Sequence, residues 1–202
     1  MARGRLIAFE GGEGCGKSTQ AARFAARTGA LLTREPGGTT LGEALRTLVL
    51  DHGEGPAFDA RAETLVMLAA RAQHVAEVVV PALGAGRLVV TDRFSHSTLA
   101  YQGYGRGLDV EELRGMCTWA AQGIWPDAVV LLEVSPEVAA SRRSREADRL
   151  ESAGRDFHDR VAAGFRELAA GDPERWLVAD GSGTVEDVEV RVTAGLADMG
   201  IR

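Results

Sequence analysis

Eight residues constrain this chain more tightly than any others. Gly11-Gly12-Glu13-Gly14-Cys15-Gly16-Lys17-Ser18 follows the pattern G-x-x-x-x-G-K-[ST], which holds a phosphate when a buried strand enters the loop and a helix leaves it. Both flanks meet that requirement. Leu6-Ile7-Ala8-Phe9 reads as a short buried strand, and Ala21, Ala22, Phe24 and Ala25 give the apolar spacing of a helix that Gly29 stops. The backbone of Gly11, Gly14, Cys15, Gly16 and Thr19 is then expected to wrap a nucleotide phosphate. Lys17 offers a compact charge to the β- and γ-phosphates, and the Ser18 hydroxyl is placed to hold Mg²⁺.

Composition sharpens this reading. Lysine and arginine together number 23, yet Lys17 is the single lysine, and asparagine is absent. A bias that replaces lysine wherever charge alone matters exposes the one position where arginine's planar fork will not do. The missing asparagine also removes any Asn-Lys-x-Asp guanine-recognition motif, which disfavours a GTPase switch. With 202 residues, 45% of them hydrophobic, and a formal charge of −6, the expectation is one ordinary domain over residues 1–202 with a sizeable core. The acidic balance argues against a nucleic-acid surface. No stretch approaches the roughly 18 uncharged apolar residues of a membrane span, and no secretion signal opens the sequence, so a cytoplasmic address is expected. Cys15 and Cys117, with His52, His74, His96 and His158, show no metal-ligand or disulfide spacing.

Further along, residues 30–33, 88–91, 129–132 and 176–178 read as four more apolar strands. Between them lie helical patterns capped at Asp59, Asp109, Ser135 and Thr184, with Pro81 kinking or restarting the helix that begins after Asp59. Residues 95–102 read as helical and 103–107 as a loop. Five apolar strands alternating with helices predict an α/β fold, a parallel sheet covered on both faces. A carboxylate for the metal belongs at the end of a buried strand; Asp92 fits that place and Glu133 competes for it.

The segments Phe9-Glu10-Gly11 to Thr19, Thr33-Arg34-Glu35-Pro36-Gly37-Gly38-Thr39, Arg71-Ala72-Gln73-His74, Asp92-Arg93-Phe94 to Tyr101-Gln102-Gly103, Pro126-Asp127 and Asp148-Arg149-Leu150-Glu151 resemble, in this order, the thymidylate kinases. The resemblance spans nearly the whole chain. It implies a P-loop kinase sandwich of five parallel strands and transfer of the ATP γ-phosphoryl to dTMP with Mg²⁺. It also implies dTMP and ATP as the small-molecule partners, and a homodimer for which the apolar helix around residues 65–79 is a candidate interface. By resemblance, Arg46 and Arg93 hold the acceptor phosphate, Arg71 donates to a thymine carbonyl, and Ser97, Thr98 and Gln102 meet the rest of the base's polar edge. Glu13 accepts from the 3′-hydroxyl. Met67 stands where many members stack a phenylalanine on the base. The charged stretch within 142–153 corresponds to a lid; because the phosphate loop holds no arginine, the catalytic arginine is expected there, at Arg145 or Arg149, with Arg142 against the adenine. Two alternatives remain open from the residues: a kinase for another nucleoside monophosphate, and a P-loop ATPase or switch in which Asp92 orients water. The acceptor-side residues Arg71, Arg93, Ser97 and Gln102 weigh against the second, because a water nucleophile does not need them.

Overall fold

A computed structural model describes residues 3–50, 58–142, 149–150 and 152–201. The phosphate-loop strand β1 (Leu6–Glu10) is followed by α1 (Lys17–Thr28), β2 (Leu31–Arg34), α2 (Thr40–Leu50) and α3 (Ala60–His74). A π-helical turn, Val75–Val79, leads into α4 (Val80–Gly84), then β3 (Val89–Asp92) and α5 (Ser95–Thr98), which widens into a second π-helical stretch, Leu99–Gly105. After these come α6 (Val110–Ala120), β4 (Ala128–Glu133), α7 (Pro136–Ser141), α8 (Arg155–Gly171), β5 (Trp176–Asp180) and α9 (Val185–Asp198).

The five strands form one parallel sheet in the order β2-β3-β1-β4-β5. Side chains alternate across it, as pleating requires. Val129 and Leu131 enter a core with Leu99, Tyr101, Leu113, Phe157, Phe165 and Trp176. Val130 and Leu132 face the opposite side with Ile7, Phe9, Phe24, Val188 and Leu196. Both faces are therefore covered, which explains why the inner strands read as unbroken apolar runs. β2 differs: it lies at the edge, starts at Leu31, and leaves Leu32 46% exposed, because sequence does not say which strand ends on the rim.

The helix starts fall where the caps predict. Asp59, Asp109, Ser135 and Thr184 accept backbone N–H groups, and Thr184 with Asp187 forms a complete capping box. Residues 103–107 correct the expected loop, since helix continues to Gly105. Its glycines serve packing: a Cβ on Gly105 would lie 2.6 Å from the Phe157 ring, and one on Gly103 would lie 3.0 Å from Val110. Pro81 sits in the first turn of α4, where regular helix restarts after the π turn as expected, and the rod runs on from Ala60 to Gly84. By length and composition Ala60–Gly84 passes for a membrane span; here its Glu63 and Arg71 are buried in ion pairs and its His74 is buried against Glu35, as suits a core helix. The helix expected to run from Ser135 into the charged segment stops at Ser141.

Candidate active site

The carboxyl ends of the central strands converge on the phosphate loop, where open parallel sheets place ligands. Gly16 caps α1 in the left-handed region with no side chain on the first N–H groups, so those donors face outward. Gly14 has no alternative: its φ is 73°, and a Cβ there would meet the Ala139 carbonyl at 2.5 Å. Lys17 is buried, with Nζ donating to the Gly12 carbonyl at 3.2 Å and lying 3.5 Å from Glu13 Oε1. Burial and Arg93 push its pKa down, but Glu13 and Asp92 help lift it above the ordinary value, so it stays cationic.

Asp92 ends β3 beside Phe9 in the sheet register, and Ser18 Oγ donates to its Oδ2 at 2.5 Å. Its other oxygen, Oδ1, is buried with no hydrogen-bond partner. A hydroxyl and a carboxylate with one orphaned oxygen form a donor set that fits Mg²⁺. Glu133, the competing carboxylate, is instead engaged by Arg166 at 2.6 Å.

The next residue, Arg93, has a φ of 71°, a conformation that costs a branched-out side chain about 1–2 kcal/mol. It turns the guanidinium into the junction between two elements. Nη1 donates to the Gly11 carbonyl at 3.2 Å and to Ser97 Oγ at 3.0 Å; Nη2 pairs with Glu13 and donates to Tyr101 Oη at 3.1 Å. Beneath it lies Glu10, wholly buried, accepting from the N–H groups of Phe94 (2.9 Å) and Ser97 (3.2 Å) and from the Ser97 hydroxyl (2.6 Å).

Beside this junction lies a cavity of about 900 Å³; its lining includes Glu13, Lys17, Arg46 and Arg93, and also Met67, Arg71, Thr98, Gln102 and Leu150. That size suits a nucleotide. Arg71 is buried across its floor. Nε donates to Glu35 Oε2 at 2.7 Å and Nη1 to Thr98 Oγ1 at 2.9 Å. Glu35 also pairs with His74 Nδ1 at 2.9 Å, and His74 Nε2 reaches Thr33 Oγ1 at 2.7 Å. Burial would raise the Glu35 pKa, but Arg71 and His74 outweigh it and hold the carboxyl below its ordinary value.

The thymidylate kinase family model matches residues 9–192. A thymidylate kinase of Bifidobacterium longum strain DJO10A is 43% identical over 203 residues, covering 97% of this chain and 98% of the relative. One from Synechococcus strain JA-3-3Ab is 47% identical over 192 residues, with 93% and 92% covered. This chain belongs to the thymidylate kinase family. The crystal structure of the thymidylate kinase from Ehrlichia chaffeensis superposes with a TM-score of 0.78 at 29% identity, over 96% of this chain and 99% of that one. The fold and family expected from the residues therefore hold, and the chain is a P-loop kinase.

Within this family fold, the site residues divide into those brought together and those that are not. Arg46 donates to the Pro36 carbonyl at 3.0 Å from α2 and lines the cavity. Ser97 hydrogen-bonds to Glu10 and Arg93, whereas Thr98 bonds to Arg71 and Gln102 to Glu63. Arg142 donates to the carbonyls of Gly181 (2.9 Å) and Gly183 (3.1 Å), beside the loop. Arg149 is drawn away from the phosphate loop: its guanidinium is taken up by Glu63 at 2.7 Å, the Val49 carbonyl at 2.9 Å and the face of Phe58. Arg145 lies outside the described residues. No motif in the sequence assigns a role to Glu10, Glu35, Glu63, His74 or Tyr101. One signal was available, because Glu63, Met67, Arg71 and His74 repeat every three or four residues and so share a helix face.

Proposed function

We propose that this chain transfers the γ-phosphoryl group of ATP to dTMP, yielding dTDP and ADP. The observation that carries this reading is the placement of Arg93, one guanidinium joined both to the phosphate loop (Gly11, Glu13) and to the wall of the adjoining cavity (Ser97, Tyr101). Phosphoryl transfer is mostly positioning and charge neutralisation, and a cation at that junction serves donor and acceptor alike. Arg93 and Arg46 hold the acceptor phosphate, whose own oxygen attacks. No general base is required, since a monophosphate's second pKa is about 6.

Lys17 and the N–H groups of residues 11–19 neutralise the β- and γ-phosphates of ATP, and Arg142 lies on the adenine side. Ser18 and Asp92 would hold Mg²⁺, which when bound neutralises phosphate charge. Glu13 takes the 3′-hydroxyl of dTMP; Arg71, Thr98 and Gln102 take the base over Met67. Arg145, in a lid spanning 142–153, supplies the cation missing from the loop, and Arg149 anchors the end of that lid. Residues 1–202 act as one kinase unit, in the cytoplasm, without nucleic acid or membrane. The unit pairs as a homodimer through the apolar helix around residues 65–79, where Leu65 is 57% exposed.

A cavity lined by Arg71 and Gln102 favours this reading over an ATPase, which uses water. The test is the rate of ADP release with Mg²⁺ and ATP, alone and with dTMP, dUMP, dCMP, AMP or GMP added. Release that depends on dTMP and is fastest with it supports the reading; release indifferent to the acceptor rejects it.

A further inference from the structure

Glu63 lies in the first turn of α3, fully buried, and its carboxylate receives four N–H groups. Gln102 Nε2 (2.8 Å) and Arg106 Nε (3.3 Å) donate to Oε1; Arg106 Nη2 (3.0 Å) and Arg149 Nη2 (2.7 Å) donate to Oε2. Burial acts to raise the Glu63 pKa, but the hydrogen bonds from Arg106, Gln102 and Arg149 outweigh it and keep the group ionised.

An ionised carboxylate only accepts hydrogen bonds. It therefore dictates which way the Gln102 amide faces: the NH₂ must turn to Glu63, and the carbonyl oxygen is the pole left for a ligand in the cavity that Gln102 lines. Arg71, on the same helix face two turns on, has only donors to offer. Arg71 is hydrogen-bonded to Thr98, four residues before Gln102, and all three line the cavity, which thus presents one fixed acceptor and one fixed donor. A 4-keto pyrimidine offers the matching pair on adjacent atoms, an N3–H that donates and an O4 that accepts. A 4-amino pyrimidine offers the reverse, an N3 that accepts and an amino group that donates.

We propose that Glu63 is a positioning residue for base specificity: by holding the Gln102 amide nitrogen it commits the cavity to 4-keto pyrimidines and sets it against 4-amino ones. The inference rests on the thymidylate kinase reading of the site. Mispairing at both atoms leaves buried polar groups unsatisfied, the situation in which enzymes discriminate most strongly.

The test compares kcat/KM for dTMP and dCMP, with Mg²⁺ and ATP, in the full chain and its variants. The ratio of the two is read within one preparation, so the fraction of folded enzyme cancels. The wild type is expected to favour dTMP by about 100-fold or more. In Glu63→Gln the new amide both donates and accepts, Gln102 is free to turn, and the ratio falls by about tenfold or more, chiefly through KM. Glu63→Asp retains the charge for the two arginines but draws back from Gln102; it reads out the same loss if Glu63→Gln does not fold. Arg149→Met, which loosens the cluster and leaves the Gln102 contact in place, keeps the wild-type ratio while lowering Tm. An unchanged ratio in the folded Glu63 variants overturns the inference, as does an equal loss in Arg149→Met. A wild type that makes no dTDP overturns the underlying reading, and the inference falls with it.

Discussion

Glu10 offers a quantitative test of how the junction beneath Arg93 is built. Its carboxylate is wholly buried, and burial pushes its pKa from 4.5 up to about 7, more than Arg93, the Ser97 hydroxyl and the Phe94 N–H pull it down. An unfolded chain releases the Glu10 proton near 4.5. Between that value and about 7 the folded chain keeps a proton the unfolded chain has lost, so folding weakens as pH rises. The favourable contribution is full below 4.5 and gone above about 7. At 1.36 kcal/mol per pH unit, this interval is worth about 3 kcal/mol.

Glu10→Gln removes the titration and spares the geometry: its oxygen accepts the Phe94 and Ser97 N–H groups, and its NH₂ donates to Ser97 Oγ. The assay is urea unfolding of both proteins from pH 5 to pH 8, extrapolated to water. Groups common to both proteins cancel in the difference. Wild-type stability minus that of Glu10→Gln is expected to fall by about 2–3 kcal/mol across this range. A difference that stays flat within about 0.5 kcal/mol, or that grows with pH, would refute the reasoning.

Three further outcomes are expected. Glu35→Ala leaves the buried Arg71 guanidinium without its carboxylate, which should cost about 3–5 kcal/mol and lower Tm by roughly 10 °C; an unchanged melt contradicts it. Asp92→Asn should raise the Mg²⁺ needed for half-maximal activity and cut kcat by about 10²–10³ while the thermal melt stays near wild type, and an identical Mg²⁺ titration rules the assignment out. Arg145→Ala should lower kcat by about 10³ with little change in the dTMP KM, whereas Arg149→Ala, which breaks the Glu63 pair, should instead lower Tm; full activity in both variants rejects a lid arginine as the catalytic cation.

What the residues disclosed, and what they hid, follows from the range of each signal. The loop from Gly11 to Ser18 was legible because backbone reach and charge type are written locally, and the caps at Asp59, Asp109, Ser135 and Thr184 were local in the same way. Asp92 was legible as a strand end. β2 looked like any buried strand until the sheet order placed it on the rim. Gly103 and Gly105 read as loop because their close neighbours, Val110 and Phe157, come from later elements. Glu10, Glu35 and Glu63 escaped notice for one shared reason: a buried acid makes sense only beside its partners, and those lie tens of residues away. Arg149 was one of two candidates for the catalytic cation by resemblance and by the lack of an arginine in the phosphate loop; its pairing with a carboxylate 86 positions earlier in the chain was not legible.

Direct passage of a phosphoryl group from one bound nucleotide to another across the Arg93 junction is decided by incubating the purified chain with Mg²⁺, dTMP and ATP radiolabelled at the γ-phosphate, then separating the products. The label is expected in dTDP, one equivalent for each ADP formed, with none released as inorganic phosphate. Label recovered as free phosphate, with dTMP unchanged, contradicts it.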